Sequence, residues 1–148
     1  MTRGELAKSY FLGGYTCSQA VLMAFKDELS VPQETLLAVG LPLGGGMGRL
    51  RQTCGAVSGA VICLGLLFPE KSKNEMYALV QEFARRFQEK NGSINCGQLL
   101  SGAGVKVDTS PNAEPRTAEY YQKRPCPCLI AYAADILEEM LETLRQRV

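Results

Sequence analysis

Six cysteines and no histidine decide what chemistry this chain can do. Without histidine there is no Ser–His or Cys–His dyad, no His-ligated metal and no haem held through a protein His. Tryptophan is absent too, which removes the strongest cation-binding ring. Reactive chemistry therefore falls to cysteine. Three cysteines recur in one local pattern, Thr16-Cys17-Ser18-Gln19, Thr53-Cys54-Gly55-Ala56 and Asn95-Cys96-Gly97-Gln98. Each has a residue of N-cap type before it and a helical apolar pattern after it. In a fourth case Pro127, favoured at the first helical position, places Cys126 at a cap. Four cysteines are thus predicted at four helix N-termini. There the positive end of the helix dipole and the unpaired backbone N–H groups favour thiolate over thiol. The same groups can donate hydrogen bonds to sulfur in a metal or cluster site. One thiol among Cys17, Cys54 and Cys96 is expected to titrate well below the ordinary value of about 8.5, the others above it, as a coupled set.

The four also share apolar stripes, and their sulfurs are expected to converge in the helical core. Cys17 lies with Val21, Ala24 and Phe25, Cys96 with Leu99 and Leu100, and Cys126 with Ile130, Ala133 and Leu137. Cys128 falls on a more polar stripe with Ala131, Tyr132 and Asp135 and ranks below Cys126. Cys63 follows Cys54 by nine residues, a rotation of roughly 180° at about 3.6 residues per turn. It should point away and pack as a small hydrophobe. Core packing is the ordinary reading of any one such cysteine; four at helix starts favour a shared thiolate site. The spacing lacks Cys-x-x-Cys and any ferredoxin-type run.

The elements that must position these residues are helical throughout. Thr16 opens a capping box to a helix reaching about Leu29. Pro32 opens a short helix that Pro42 ends, and residues 43–49 form a flexible glycine loop. A helix over about 53–68 is apolar on nearly every side and should be central and buried. Ser72 opens a second capping box, with Gly92 as the stop; Asn95 caps a short helix; residues 102–116 read as a surface loop. The last helix runs over about 127–147. No strand is predicted. The fold class is all-α, one domain over 1–148: a bundle of about six to eight helices around a Gly/Ala-rich central helix.

Gly44-Gly-Gly-Met-Gly-Arg49 lacks the Lys-Ser/Thr of a phosphate loop and follows no strand, so close backbone packing beside Cys54 is the expectation. Gly55 and Gly59 share one helix face and should admit a neighbouring helix. Arg85-Arg86 and Arg145/Arg147 read as solvated faces, while Tyr120-Tyr121 suits either a partner contact or a loop cap.

With 148 residues, 46% hydrophobic and 21% charged, the chain can bury a core without staples. A net charge of +1 argues against nucleic acid. The N-terminus has no apolar signal region, and the longest apolar run, 54–68, is too short to span a bilayer. The expectation is a cytoplasmic protein that does not span the membrane, whose cysteines stay thiolate, metal-bound or transiently oxidised.

The order Cys17, Gly44-Gly-Gly-Met-Gly-Arg49, Cys54-Gly-Ala-Val-Ser-Gly59, Cys96 and a cysteine at 126–128 resembles the redox-active proteins named for a C…GCAxxG…C…C pattern. The resemblance covers about residues 10–145, and its most specific part is the Cys-Gly-Ala-x-x-Gly element behind the glycine loop. Thr53 stands where the pattern has Gly. A related module in split-Soret-type cytochromes is associated with a non-haem iron–sulfur centre. The resemblance implies that Cys17, Cys54, Cys96 and one of Cys126 or Cys128 are the functional cysteines. Haem binding does not carry over, since Cys-x-x-Cys-His is absent.

The leading reading is an electron-transfer protein with a [2Fe–2S]-type cluster on these cysteines, helix N-termini offsetting its negative charge. Metal-free thiol–disulfide or sulfur-handling chemistry comes next. A four-cysteine zinc site and a helical interaction domain with packed cysteines follow. Implied partners are a redox protein or a small sulfur or metal species, with self-association left open; whether the chain is an oxidoreductase is not legible from spacing.

Overall fold

The computed structural model describes residues 1–146. Its helices are α1 (Arg3–Leu12), α2 (Cys17–Ala24), α3 (Gln33–Gly40), a single turn α4 (Gly44–Met47), α5 (Gly55–Leu67), α6 (Lys73–Asn91), α7 (Cys96–Gly102), α8 (Ala118–Lys123) and α9 (Cys126–Gln146). Leaving out the one-turn α4, eight helices build an all-α bundle, as predicted. Arg147, at the end of the last predicted helix, lies outside the described residues.

Local chemistry sets most boundaries. At α2 and α6 the Thr16 and Ser72 hydroxyls accept from the backbone N–H of Gln19 and Glu75, whose side chains accept from the cap N–H in return. Gly92 ends α6 with φ 94°, left-handed backbone that glycine adopts without a Cβ penalty. Two helices lie where the sequence reading had none. The α1 stripe is narrow (Gly4, Ala7, Phe11), although Thr2 and Glu5 form a capping box like the others. The six-residue α8, capped by Thr117, is too short for a periodic signal. Helix α2 stops at Ala24 rather than Leu29, giving way to turns through Glu28.

The core centres on α2, buried from Ser18 to Ala24, and on the inner face of α5. Helix α5 packs on α2, α6 and α9, and α1 packs on α2 and α9. Close approach at the α2–α5 crossing depends on the two predicted glycines: a Cβ at Gly59 would stand 2.8 Å from the Ser18 carbonyl oxygen, and one at Gly55 3.0 Å from Cys17 Cβ. Gly4 does the same for α1 against α9, its N–H donating to the Asp135 carboxylate at 2.7 Å.

The glycine segment is not a flexible loop. Gly45, Gly46, Met47, Gly48, Arg49 and Arg51 all take positive φ, and the segment closes with Arg49, Arg51 and Gln52 N–H groups on the Gly44, Gly45 and Gly46 carbonyls. It packs against the starts of both α5 and α7: a Cβ on Gly55, next to Cys54, would fall 3.1 Å from the Leu43 carbonyl oxygen, and one on Gly46 2.6 Å from Cys96 Cβ.

Candidate functional site: four cysteines on an arginine-lined cavity

All four predicted cysteines stand at helix starts. Cys17, Cys96 and Cys126 are the first residues of α2, α7 and α9, and Cys54 is the cap of α5. Two of the four are tied by backbone pairing. An isolated antiparallel bridge joins Thr53 to Asn95, with Cys54 N–H on the Ile94 carbonyl at 2.7 Å and Cys96 N–H on the Gln52 carbonyl at 2.6 Å. The starts of α5 and α7 are therefore pinned side by side. Cys17 reaches the same place through the α2–α5 crossing and Cys126 through α9.

Cys17, Cys54, Cys96 and Cys126 line one cavity of about 480 Å³. Cys54 is buried, while the other three keep partial exposure. Cys128 is exposed and is not on the cavity wall, so among the candidate cysteines it stands apart. Cys63 is buried in the core away from the cavity, where burial pushes its thiol up to about 12.

The four thiols differ sharply in their protonation. Cys17 and Cys126 are neighbours on this wall: hydrogen bonding between the two sulfurs raises Cys17 and holds Cys126 below the ordinary thiol range. Burial adds to the rise at Cys17 and opposes the fall at Cys126, where the Arg124 and Arg116 guanidiniums also stabilise the thiolate. Burial takes Cys54 up to about 12 against the opposing pull of the Ala56 and Val57 amides. Cys96 is raised by burial, in part countered by Arg51, whose Nη1 lies 3.7 Å from its sulfur. The expectation of a low thiol among Cys17, Cys54 and Cys96 meets burial that raises Cys54 and Cys96, and in the Cys17–Cys126 pair the sulfur held low is Cys126, another helix start, with its partner thiol and then the arginines as causes.

The sequence reading missed these arginines. Arg49, Arg51, Arg116 and Arg124 line the cavity, with Glu114 as the one carboxylate on its wall. They come from the glycine segment, the 102–116 loop and the approach to α9, so no spacing announces them. Glu114 pairs with Arg124 and, at 3.3 Å, with Arg49. Tyr120 lines the cavity as well, under the Arg116 and Arg124 guanidiniums at 5.1 and 4.8 Å. By contrast Arg85 and Arg86 pair only with Glu89 and Glu82 on their own helix among the described residues.

The profile of a family described as "Putative redox-active protein (C_GCAxxG_C_C)" matches residues 15–140. The chain belongs to that family. The match takes in every cysteine and every arginine of the cavity wall. Comparisons with curated proteins and with solved structures returned no match.

As donors, four thiolates suit an iron–sulfur group, and the arginines would offset its negative charge. Among the described residues, however, no three Cys, Asp or Glu side chains are gathered to hold a single metal ion. Nor, among them, is any helix long and apolar enough to cross a membrane.

Proposed function

We propose that this member of a redox-active family works through a dithiol, with Cys126 as the attacking thiolate and Cys17 as the thiol that resolves it. The observation that carries this reading is that Cys17 and Cys126, the first residues of α2 and α9, come together on the cavity wall that also bears Arg124 and Arg116, with Cys126 the sulfur held low. Thiolate is the nucleophile in disulfide exchange, and the resolving thiol must lie within reach of it. Mild oxidation should give a Cys17–Cys126 disulfide, mapped by mass spectrometry on the non-reduced digest. Oxidation that pairs Cys54 with Cys96 instead, leaving Cys17 and Cys126 free, would overturn the assignment.

A second reading rests on Cys54 and Cys96, which the Thr53–Asn95 bridge brings to the same wall and which a dithiol does not use. On this reading Cys17, Cys54, Cys96 and Cys126 would together hold an iron–sulfur group, which supplies one-electron transfer when bound. Iron and sulfide analysis with the visible spectrum of anaerobically purified protein separates the two. A coloured protein with stoichiometric iron and sulfide that bleaches in Cys54→Ser and Cys96→Ser supports the cluster. A colourless one supports the dithiol.

A further inference from the structure

The cavity wall carries more positive charge than its own side chains neutralise. Four arginines share the wall with Glu114, which is already divided between Arg49 and Arg124, and from beyond the wall Asp108 reaches only Arg49, at 3.6 Å. Arg51 and Arg116 make no ion pair with a carboxylate among the described residues. Arg51 donates to the Asp108 carbonyl at 3.0 Å and toward Cys96, and Arg116 to the carbonyls of Phe11 and Tyr15 at 3.1 and 3.0 Å. Arg51 is 8% exposed and Arg124 likewise, so these charges are largely withdrawn from water. Arg49, whose side chain is 12% exposed, has in addition a buried Nη1 with no hydrogen-bond partner. An unpaired buried guanidinium nitrogen costs free energy unless something accepts from it. The space is also larger than a dithiol needs: about 480 Å³ lies within the range of small-molecule sites.

We infer that the cavity binds a small anionic disulfide, a molecule with an S–S bond and carboxylate groups, whose carboxylates Arg49 and Arg51 recognise while its sulfur meets Cys126. This rests on the dithiol reading and names the substrate class for it. Guanidinium forks match carboxylates in geometry as well as charge. In the reaction Cys126 Sγ attacks one sulfur of the ligand. A Cys126–ligand S–S bond forms, the ligand's own S–S bond breaks, and half of the ligand departs as a thiolate. The Cys17 thiol passes its proton to that thiolate. Its sulfur then attacks Cys126 Sγ, closing the Cys17–Cys126 disulfide and releasing the second half as a thiolate. The protein gives up two electrons and the ligand takes both, so one disulfide is exchanged for another.

The test uses two pairs of probes of similar size, one anionic and one neutral in each, with every ratio referred to that of a simple thiolate in solution. In the reduced full-length protein, rates at Cys126 are followed by mass mapping with iodoacetate against iodoacetamide, and with dithiodiglycolate against 2-hydroxyethyl disulfide. Simple thiolates in solution react more slowly with iodoacetate than with iodoacetamide. The expected result is a reversal of that order and a preference of about tenfold for the anionic disulfide. Arg49→Gln and Arg51→Gln should each bring both ratios back toward the solution values, with Arg49→Lys retaining part of the preference. Ratios at the solution values in the wild type, or ratios that both glutamine variants keep, would overturn the anionic ligand. The dithiol reading fails separately, by iodoacetamide modifying Cys126 no faster than the exposed Cys128.

Discussion

Cys17 and Cys126 occupy the same position, the first residue of a helix, and yet are driven in opposite directions. A helix end supplies a fraction of a charge within one turn, whereas a guanidinium supplies a whole one that moves with its side chain. The hydrogen bond between the two sulfurs sets the order first, and the arginines beside Cys126 add to it. Alkylation of Cys126 should show a pH midpoint below the ordinary thiol value of about 8.5, because the folded protein favours its thiolate. Arg124→Gln should raise that midpoint and slow alkylation at pH 7 several-fold. A midpoint that Arg124→Gln leaves in place would assign the whole effect to the Cys17 hydrogen bond. That Cys126 is the depressed thiol was not legible in the sequence, since Arg124 stands beside it there no differently from many surface arginines.

At the scale of elements, α5 carries two cysteines at opposed rotations, Cys54 on the cavity and Cys63 in the core. The rotation was readable from nine residues of separation. Burial takes both thiols to about 12. The native state thus keeps them neutral at a pH where the unfolded chain ionises them. Their contribution is complete below about 8.5 and is lost as pH rises toward the folded values, at about 1.4 kcal/mol per unit for each thiol. Urea unfolding should therefore show stability falling from pH 8 to pH 10. Cys63→Ala should cost about 1 kcal/mol near neutrality, flatten the alkaline slope and leave Cys126 labelling unchanged. An unaltered slope in that variant would show that Cys63 ionises freely. Capping boxes made α2 and α6 legible. Helix α1 escaped because its buried face has three residues, two of them Gly4 and Ala7 with little apolar surface.

Over the whole molecule, a net charge of +1 conceals the concentration of arginine on one wall. The 102–116 loop is a surface segment, as expected, and it also roofs the cavity with Pro111, Ala113, Glu114 and Arg116. Its attachments are polar: Arg49 to Asp108 at 3.6 Å and to Glu114, Arg51 to the Asp108 carbonyl, Arg124 to Glu114, and Arg116 back to Phe11 and Tyr15. Neutralising Glu114 removes two of these at once. Glu114→Gln should speed proteolytic cleavage within residues 103–116 by several-fold in a limited digest while the helical core resists, since cleavage follows local opening. Cleavage at the wild-type rate would show that Arg116 and the Asp108 contacts hold the loop alone.

What the sequence by itself determined is what short-range rules govern. Capping chemistry, 3.6-residue periodicity and the absence of histidine are local properties, and they placed Cys17, Cys54, Cys96 and Cys126 at helix starts and Cys63 away from them. The tertiary structure decided what depends on separation in space. The Thr53–Asn95 bridge sets two helix starts side by side across more than forty residues, and the crossing at Gly55 and Gly59 brings in Cys17. Four arginines from separate segments meet those sulfurs around one cavity. Coulomb energy and desolvation depend on distance and burial, which no local pattern encodes; for that reason, of four sulfurs that all stand at helix starts, the one beside Cys17, Arg124 and Arg116 is held lowest.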